Sequence, residues 1–320
     1  MKVGAFALLL NDRPLEEALD YLKAMGLEAV EIATGGYVGD KHCKPAELLQ
    51  DPDRLRIFRR AVAERGLQVS ALSCHGNPLH PREEIAAAHR RQFRDTVLLA
   101  EQIGVDRVVT FSGCPGDSEQ ARFPNWVTCP WPDEFSQIVA WQWEEKVLPY
   151  WREEAAFCRG HGVHVAIEMH PGFVVYNPGT LLRLREAVGE EIGVNYDPSH
   201  LFWQGVDPIE AVRALGPAIY HVHAKDTAID PQNARRDGVL DTKPYADEAN
   251  RSWIFRTVGY GHGMEFWKGL VSALRLVDYD YVLSIEHEDS LMSIREGLEK
   301  AAHLLKEAVI TEPAGRMWWT

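Results

Sequence analysis

The sequence predicts a single (β/α)8 barrel with long βα loops after strands four and seven, on three observations. Apolar runs of strand length alternate with amphipathic stretches from end to end. Glycines follow several of the amphipathic stretches just ahead of the next apolar run. The long polar connections follow strands, whereas the connections into strands are short. Short continuous apolar strands separated by helices imply a parallel sheet covered outside by helices. Eight such units close naturally into a barrel.

Taken in order, the first strand is expected at 2–9, in K-V-G-A-F-A-L-L. A charge followed by an apolar run has the look of a secretory leader. The run is only strand-length, however, and no small-x-small cleavage site follows before charges begin. An amphipathic pattern near 14–25 ends at Gly26, a favoured C-terminal glycine, and leads into a strand at 28–33. The same unit recurs with a helix near 53–65, Gly66 and a strand at 68–74, then a helix near 82–103, Gly104 and a strand at 107–112. Residues 113–132, rich in Gly, Pro and Trp, form the first long βα loop. A helix over 133–160 and Gly162 precede a strand at 163–169. Helices near 178–188 and 208–215 separate strands at 192–197 and 219–224. The polar segment 227–262 is the second long loop, a helix follows near 264–277, and the last unit is a strand at 281–287 with a helix over 291–309. Loop length concentrated on the βα side suits a substrate-covering lid. The barrel is expected over 1–310, with 311–320 as a C-terminal tail.

Composition narrows the function. The chain has 320 residues, 46% of them hydrophobic, enough for a sizeable core. A net charge of -13 opposes a polyanionic partner, because phosphate backbones recruit an excess of Lys and Arg, so no nucleic acid is expected. No apolar segment approaches the roughly 20 residues of a membrane span. Five cysteines with no Cys-x-x-Cys pair point to a reduced, cytoplasmic protein.

Four residues near strand ends carry the chemistry: Glu168 in V-A-I-E-M-H-P, Asp197 in N-Y-D-P-S-H, His223 in Y-H-V-H-A-K-D and Glu286 in L-S-I-E-H-E-D. A single such acid is usually a surface residue. Four on consecutive strand ends share one barrel mouth. Three acids drawn together there would repel and their pKa values would rise, and a divalent cation resolves both problems. Three carboxylates and one imidazole suit a cation of intermediate hardness.

On I-E-M-H-P at 167–171, N-Y-D-P-S-H at 195–200, H-V-H-A-K-D at 221–226, G-Y-G-H-G at 259–263 and S-I-E-H-E-D at 284–289, the chain resembles the sugar phosphate isomerase/epimerase family of the xylose-isomerase-like TIM-barrel superfamily. That group includes ketose 3-epimerases, inosose dehydratases, hydroxypyruvate isomerases and, more distantly, endonuclease IV. The resemblance covers most of the chain. It implies that Glu168, Asp197, His223 and Glu286 are the metal ligands, that Glu168 and Glu286 are the catalytic acid–base pair, and that His200 contacts substrate oxygens. Manganese is the expected ion, with magnesium, cobalt and zinc as alternatives. The implied reaction is isomerisation or epimerisation of a ketose or keto-sugar derivative through a metal-stabilised enediolate. The epimerases usually carry a substrate-binding arginine shortly after the metal histidine. Here H-A-K-D-T-A-I-D holds none before Arg235, and H-x-K-D is closer to the inosose dehydratases. A lyase acting on an inosose or 3-keto-glycoside is therefore the alternative, and an abasic-site endonuclease a more distant one.

Further substrate-binding candidates are His75 at the end of strand three, Lys225, Asp226, Arg256 and His262, while His80 reads equally as a loop residue. His170 shares parity with Glu168, Glu288 shares parity with Glu286, and His287 is expected to point away. Gly259 and Gly261 would permit a close backbone approach. Tryptophans 126, 131, 203 and 253 could stack on sugar faces, although packing is the commoner use of any one of them. The R-M-W-W-T end is a candidate dock on a neighbouring subunit or its own barrel, which makes a homo-oligomer an open expectation. No phosphate-binding glycine loop stands out near strands seven and eight, so an unphosphorylated sugar is the expected partner.

Overall fold

The structure is a computed structural model and describes every residue except 316 and 320. Its strands, in chain order, are β1 Lys2–Phe6, β2 Ala29–Gly36, β3 Gln68–His75, β4 Arg107–Phe111, β5 His164–Glu168, β6 Ile192–Tyr196, β7 Ile219–Ala224, β8 Asp226–Ile229, β9 Trp253–Arg256 and β10 Val282–Ile285. All but β8 and β9 pair in parallel and close into one barrel in the order β1, β2, β3, β4, β5, β6, β7, β10. This is a single (β/α)8 barrel. β8 and β9 form a separate antiparallel hairpin on the loop after β7.

The helices are α1 Leu15–Ala24, α2 Pro45–Gln50, α3 Pro52–Ala63, α4 Glu83–Ile103, α5 Asp133–Trp141, α6 Leu148–Gly160, α7 Pro178–Val188, α8 Ser199–Phe202, α9 Pro208–Leu215, α10 Pro231–Asp237, α11 Met264–Leu276 and α12 Ile294–Ala308. α12 shows why the outer layer forms. Ser293 caps it by accepting from the Glu296 N–H at 3.2 Å. Leu298, Ala301, Ala302 and Leu305, at helical spacing, face the barrel and are buried. Each fully buried leucine contributes roughly 1.5–3 kcal/mol.

Two stretches depart from the expected elements. Residues 7–10 leave the first strand as a short 3-10 turn. The single helix expected over 133–160 is interrupted by a π-helical segment over 142–147. Pro149, in the first turn of α6, has no N–H to donate, and the register changes just ahead of it. The interruption turns Gln142 into the long loop after β4, where its side-chain amide donates to the carbonyls of Gly116 at 3.0 Å and Asn125 at 2.8 Å.

The barrel interior is layered. At the bottom Arg107 lies over the Tyr281 ring at 3.7 Å and donates to the Tyr220 carbonyl. Above it sit small apolar residues, Ala71, Val109 and Ala166. The next layer is polar, with Glu31, Ser73, Asn195, His221, His223 and Ser284 all buried. A polar layer inside a barrel has to satisfy itself, and it points upward to the site. Of the R-M-W-W-T end, Arg316 and Thr320 lie outside the described residues, while Trp318 and Trp319 are 87% and 67% exposed.

Candidate metal centre

Glu168 closes β5, Asp197 follows the last residue of β6, His223 lies near the end of β7 and Glu286 follows β10. The barrel therefore delivers all four to its C-terminal mouth. One ligand atom from each lies within 4.8 Å of every other. His223 Nδ1 is 3.1 Å from Glu286 Oε2 and 3.3 Å from Glu168 Oε2. Asp197 Oδ2, His223 Nδ1 and Glu286 Oε2 are buried without a hydrogen-bond partner. One divalent cation would satisfy all three, so the donor set fits a metal of intermediate hardness.

Electrostatics bind the cluster together. Burial works to raise the Glu168 carboxyl, but contacts from His75 and His200 outweigh it and hold the pKa well below the usual range. Glu286 is likewise held far below its ordinary value, burial being outweighed by Lys225 and His223. Burial would lower His223, yet Glu31 and Glu286 push it well above 6.5. The Lys225 ammonium is pushed up in the same way, burial being overcome first by Asp197 and then by Glu286 and Glu288.

Three of the substrate-contact candidates lie at this cluster. His75 Nε2 is 2.9 Å from Glu168 Oε2. His200 Nε2 sits 3.4 Å from Glu168 and 3.3 Å from Asp197, itself without a hydrogen bond. Lys225 Nζ is 2.8 Å from Glu286, 3.2 Å from Asp197 and 3.0 Å from Glu288.

The other three are placed elsewhere. Asp226 is buried with both oxygens occupied: Oδ2 accepts from the backbone of Gly259, Gly261 and His262, and Oδ1 from Thr227 N and His262 Nδ1. His262 stacks on Phe202 at 3.8 Å. Arg256 donates to Asp289 at 3.1 Å. These residues build the wall of the mouth. Gly261 is required there, since a Cβ would come 2.3 Å from the Thr227 carbonyl oxygen. Gly259 supplies a φ of +94°. His80 accepts from Arg82 N within its own loop. His287 points out of the barrel toward Thr257 and Met292.

Beside the cluster opens a cavity of about 350 Å³ lined by His170, Tyr245, Ile254, Phe255, Glu288 and Ser290. Glu288 and Phe255 join it to the cluster through Lys225, whose Nζ lies 4.7 Å from the Phe255 ring centre. Cavities of about 430 and 450 Å³ lie at the opposite end, around Asp106, Arg107 and Tyr281. Barrels of this kind carry chemistry at the C-terminal face, so the smaller cavity is the relevant one. None of the four tryptophans lines it. Trp203 stacks on Trp253, Trp126 packs on Tyr176, and Trp131 is exposed.

Glu31, Asn195 and His221, which the strand-end pattern does not single out, lie directly beneath the cluster. Asn195 donates to Glu168 Oε2 at 3.0 Å and bonds His221 Nδ1 at 2.8 Å. The available signal was a lone acid inside the apolar run A-V-E-I-A.

The profile described as "Xylose isomerase-like TIM barrel" matches residues 19–308. The "Uncharacterized protein YfiH" of Bacillus subtilis (strain 168) is 38% identical over 312 residues, covering 97% of this chain and 99% of that protein. Several solved structures share the fold. The "probable 3-DHS dehydratase AsbF" from Bacillus anthracis superposes with a TM-score of 0.66 at 16% identity, covering 96% of this chain and 99% of that one. A D-tagatose 3-epimerase-like protein gives 0.64 at 18% identity, with 96% and 98% covered. The IOLI protein with a bound zinc atom gives 0.64 at 18%, with 96% of each chain covered.

Proposed function

The chain belongs to the xylose isomerase-like TIM-barrel family, and on that premise we propose that it is a divalent-metal-dependent sugar isomerase or epimerase acting on an unphosphorylated ketose or keto-sugar derivative. The observation that carries this reading is the convergence of Glu168, Asp197, His223 and Glu286, with buried ligand atoms that no hydrogen bond satisfies. These four residues would hold the ion. Manganese is the ion proposed. Held there, it would supply Lewis-acid activation of a substrate carbonyl.

The rest belongs to the protein. Glu168 and Glu286 come from strands three places apart around the mouth, β5 and β10, and would approach a substrate carbon from two directions. One would take the proton and the other return it. His75 and His200 flank Glu168 and would orient substrate oxygens. His170 and Tyr245 offer faces in the adjoining cavity for the rest of the molecule.

One observation favours a second reading, loss of water or alkoxide from an inosose or 3-keto-glycoside. The Lys225 ammonium lies against Glu286, where it could protonate a departing oxygen. Proton NMR in deuterium oxide, with manganese and a panel of ketoses, inososes and 3-keto-glycosides, separates the two. Exchange of the α-proton without loss of water supports the isomerase or epimerase. An unsaturated product supports the lyase. No turnover of any of these, in protein shown to contain metal, would sink both.

A further inference from the structure

We infer that Glu31 is a positioning residue for the metal centre, acting through His223. The inference rests on the metal reading above and adds a second layer to it.

Glu31 sits on β2 and is completely buried inside the barrel. Both of its oxygens lie 3.0 Å from His223 Nε2. The other imidazole nitrogen, Nδ1, faces Glu168 and Glu286. His223 is thus gripped from behind, with one nitrogen hydrogen-bonded to a carboxylate and the other presented to the ligand cluster. Such an arrangement fixes the ring plane, settles which nitrogen carries the proton and makes the presented nitrogen a better donor.

Glu31 is itself immobilised. Ser73 Oγ donates to Oε1 from β3, and Ser284 Oγ donates to Oε2 at 2.6 Å from β10. Two serines on the strands flanking this part of the barrel therefore hold one carboxylate under one histidine. Burying a carboxylate here carries a large desolvation cost. A packed apolar residue would fill the barrel more cheaply, so stability alone does not explain the choice.

Glu31, His221 and His223 also lie close enough to suggest a second ion site. Their hydrogen bonds argue against it. His221 Nδ1 is engaged with Asn195 and Nε2 faces Ser70, while Glu31 already accepts from both serines. The trio is a support, and the orphaned atoms lie one layer above.

The test uses cobalt(II) as the probe, with affinity read by chelator competition and geometry by the visible ligand-field bands. Wild type, Glu31→Gln and Ser284→Ala are compared. Glu31→Gln keeps the shape and removes the charge, and it should weaken cobalt binding by roughly 10- to 100-fold and shift the bands. Ser284→Ala should move both in the same direction by less. Wild-type affinity and spectrum in Glu31→Gln would overturn the inference while leaving the metal site standing. Failure of the wild type to bind cobalt would overturn the metal reading and this inference together. Where Glu31→Gln does not fold, Ser73→Ala and Ser284→Ala decide, and unchanged cobalt binding in both overturns the inference.

Discussion

The Lys225 ammonium lies 2.8 Å from Glu286 Oε2, so the carboxylate offered to the ion is also the partner of a buried cation. Lys225 is 2% exposed and also contacts Asp197 and Glu288. Removing it strands three carboxylates beside one another. Breaking a buried pair from one side costs about 3–5 kcal/mol. Lys225→Met should therefore destabilise metal-free protein by an amount of that order in urea unfolding, and saturating metal should recover part of it. The same variant probes the chemistry. If Lys225 protonates a leaving oxygen, Lys225→Met keeps α-proton exchange and loses elimination. Equal loss of both in the NMR assay would assign the residue to the architecture of the site.

Metal occupancy should appear as stability. Without an ion, Asp197 and Glu286 share the single ammonium of Lys225, and His223 Nδ1 has no hydrogen-bond partner. An ion that binds only the folded state, at about 100 times its Kd, adds about 2.7 kcal/mol. Chelation should lower the urea midpoint, and returning manganese should restore it. Asp197→Asn should abolish most of this response. An identical midpoint with and without chelator, in protein shown to have held metal, would contradict the assignment.

The architecture was legible because each barrel unit repeats one simple pattern, an apolar strand, a helix and often a glycine. Glu168, Asp197, His223 and Glu286 were legible because acids and an imidazole at the ends of apolar runs are costly unless they share a purpose. The β8–β9 hairpin was not. Its strands are four residues each and are separated by a long polar segment, so no period develops. Asp226 and His262 read as substrate contacts for the same reason that they make a good brace: both are polar groups at the mouth. Only the fold shows that each faces the other. Glu31 escaped because one acid in a strand reads as an outward-facing residue. The closure that turns it toward His223 brings together residues 192 positions apart.

A buried neutral histidine gives the stability a pH slope. His221 is fully buried, and burial together with the nearby His223 brings its pKa down to about 3 from 6.5. The folded value is depressed, so between these limits the unfolded chain binds the extra proton. Its contribution is complete above about pH 6.5 and is lost as pH falls toward 3. The share of the slope due to His221 is about 1.4 kcal/mol per pH unit across that window. Urea midpoints taken between pH 7 and pH 5 measure it. His221→Gln keeps hydrogen-bonding capacity without the ionisation and should remove about 1.4 kcal/mol per pH unit from the slope, leaving the share of His170, which burial also brings down to about 3. An unchanged slope in that variant would place the acid sensitivity elsewhere.

Asp226 separates loop order from metal binding. Its carboxylate collects the backbone N–H groups of Gly259, Gly261 and His262 at 3.1, 3.0 and 2.8 Å, and the His262 ring at 2.8 Å. All these groups donate, so the site needs an acceptor on both oxygens. Asp226→Asn turns an N–H₂ group toward at least one donor. Hydrogen bonds to a charged group are worth about 1.5–3 kcal/mol each, so loss on this scale should loosen residues 257–263. Limited proteolysis should cut the variant there, and the KM for a substrate identified by the NMR screen should rise. Cobalt affinity and ligand-field bands should stay near wild type, because Asp226 touches none of the four candidate ligands. A variant that instead loses its metal while the loop stays resistant to protease would move Asp226 from the wall of the mouth into the centre itself.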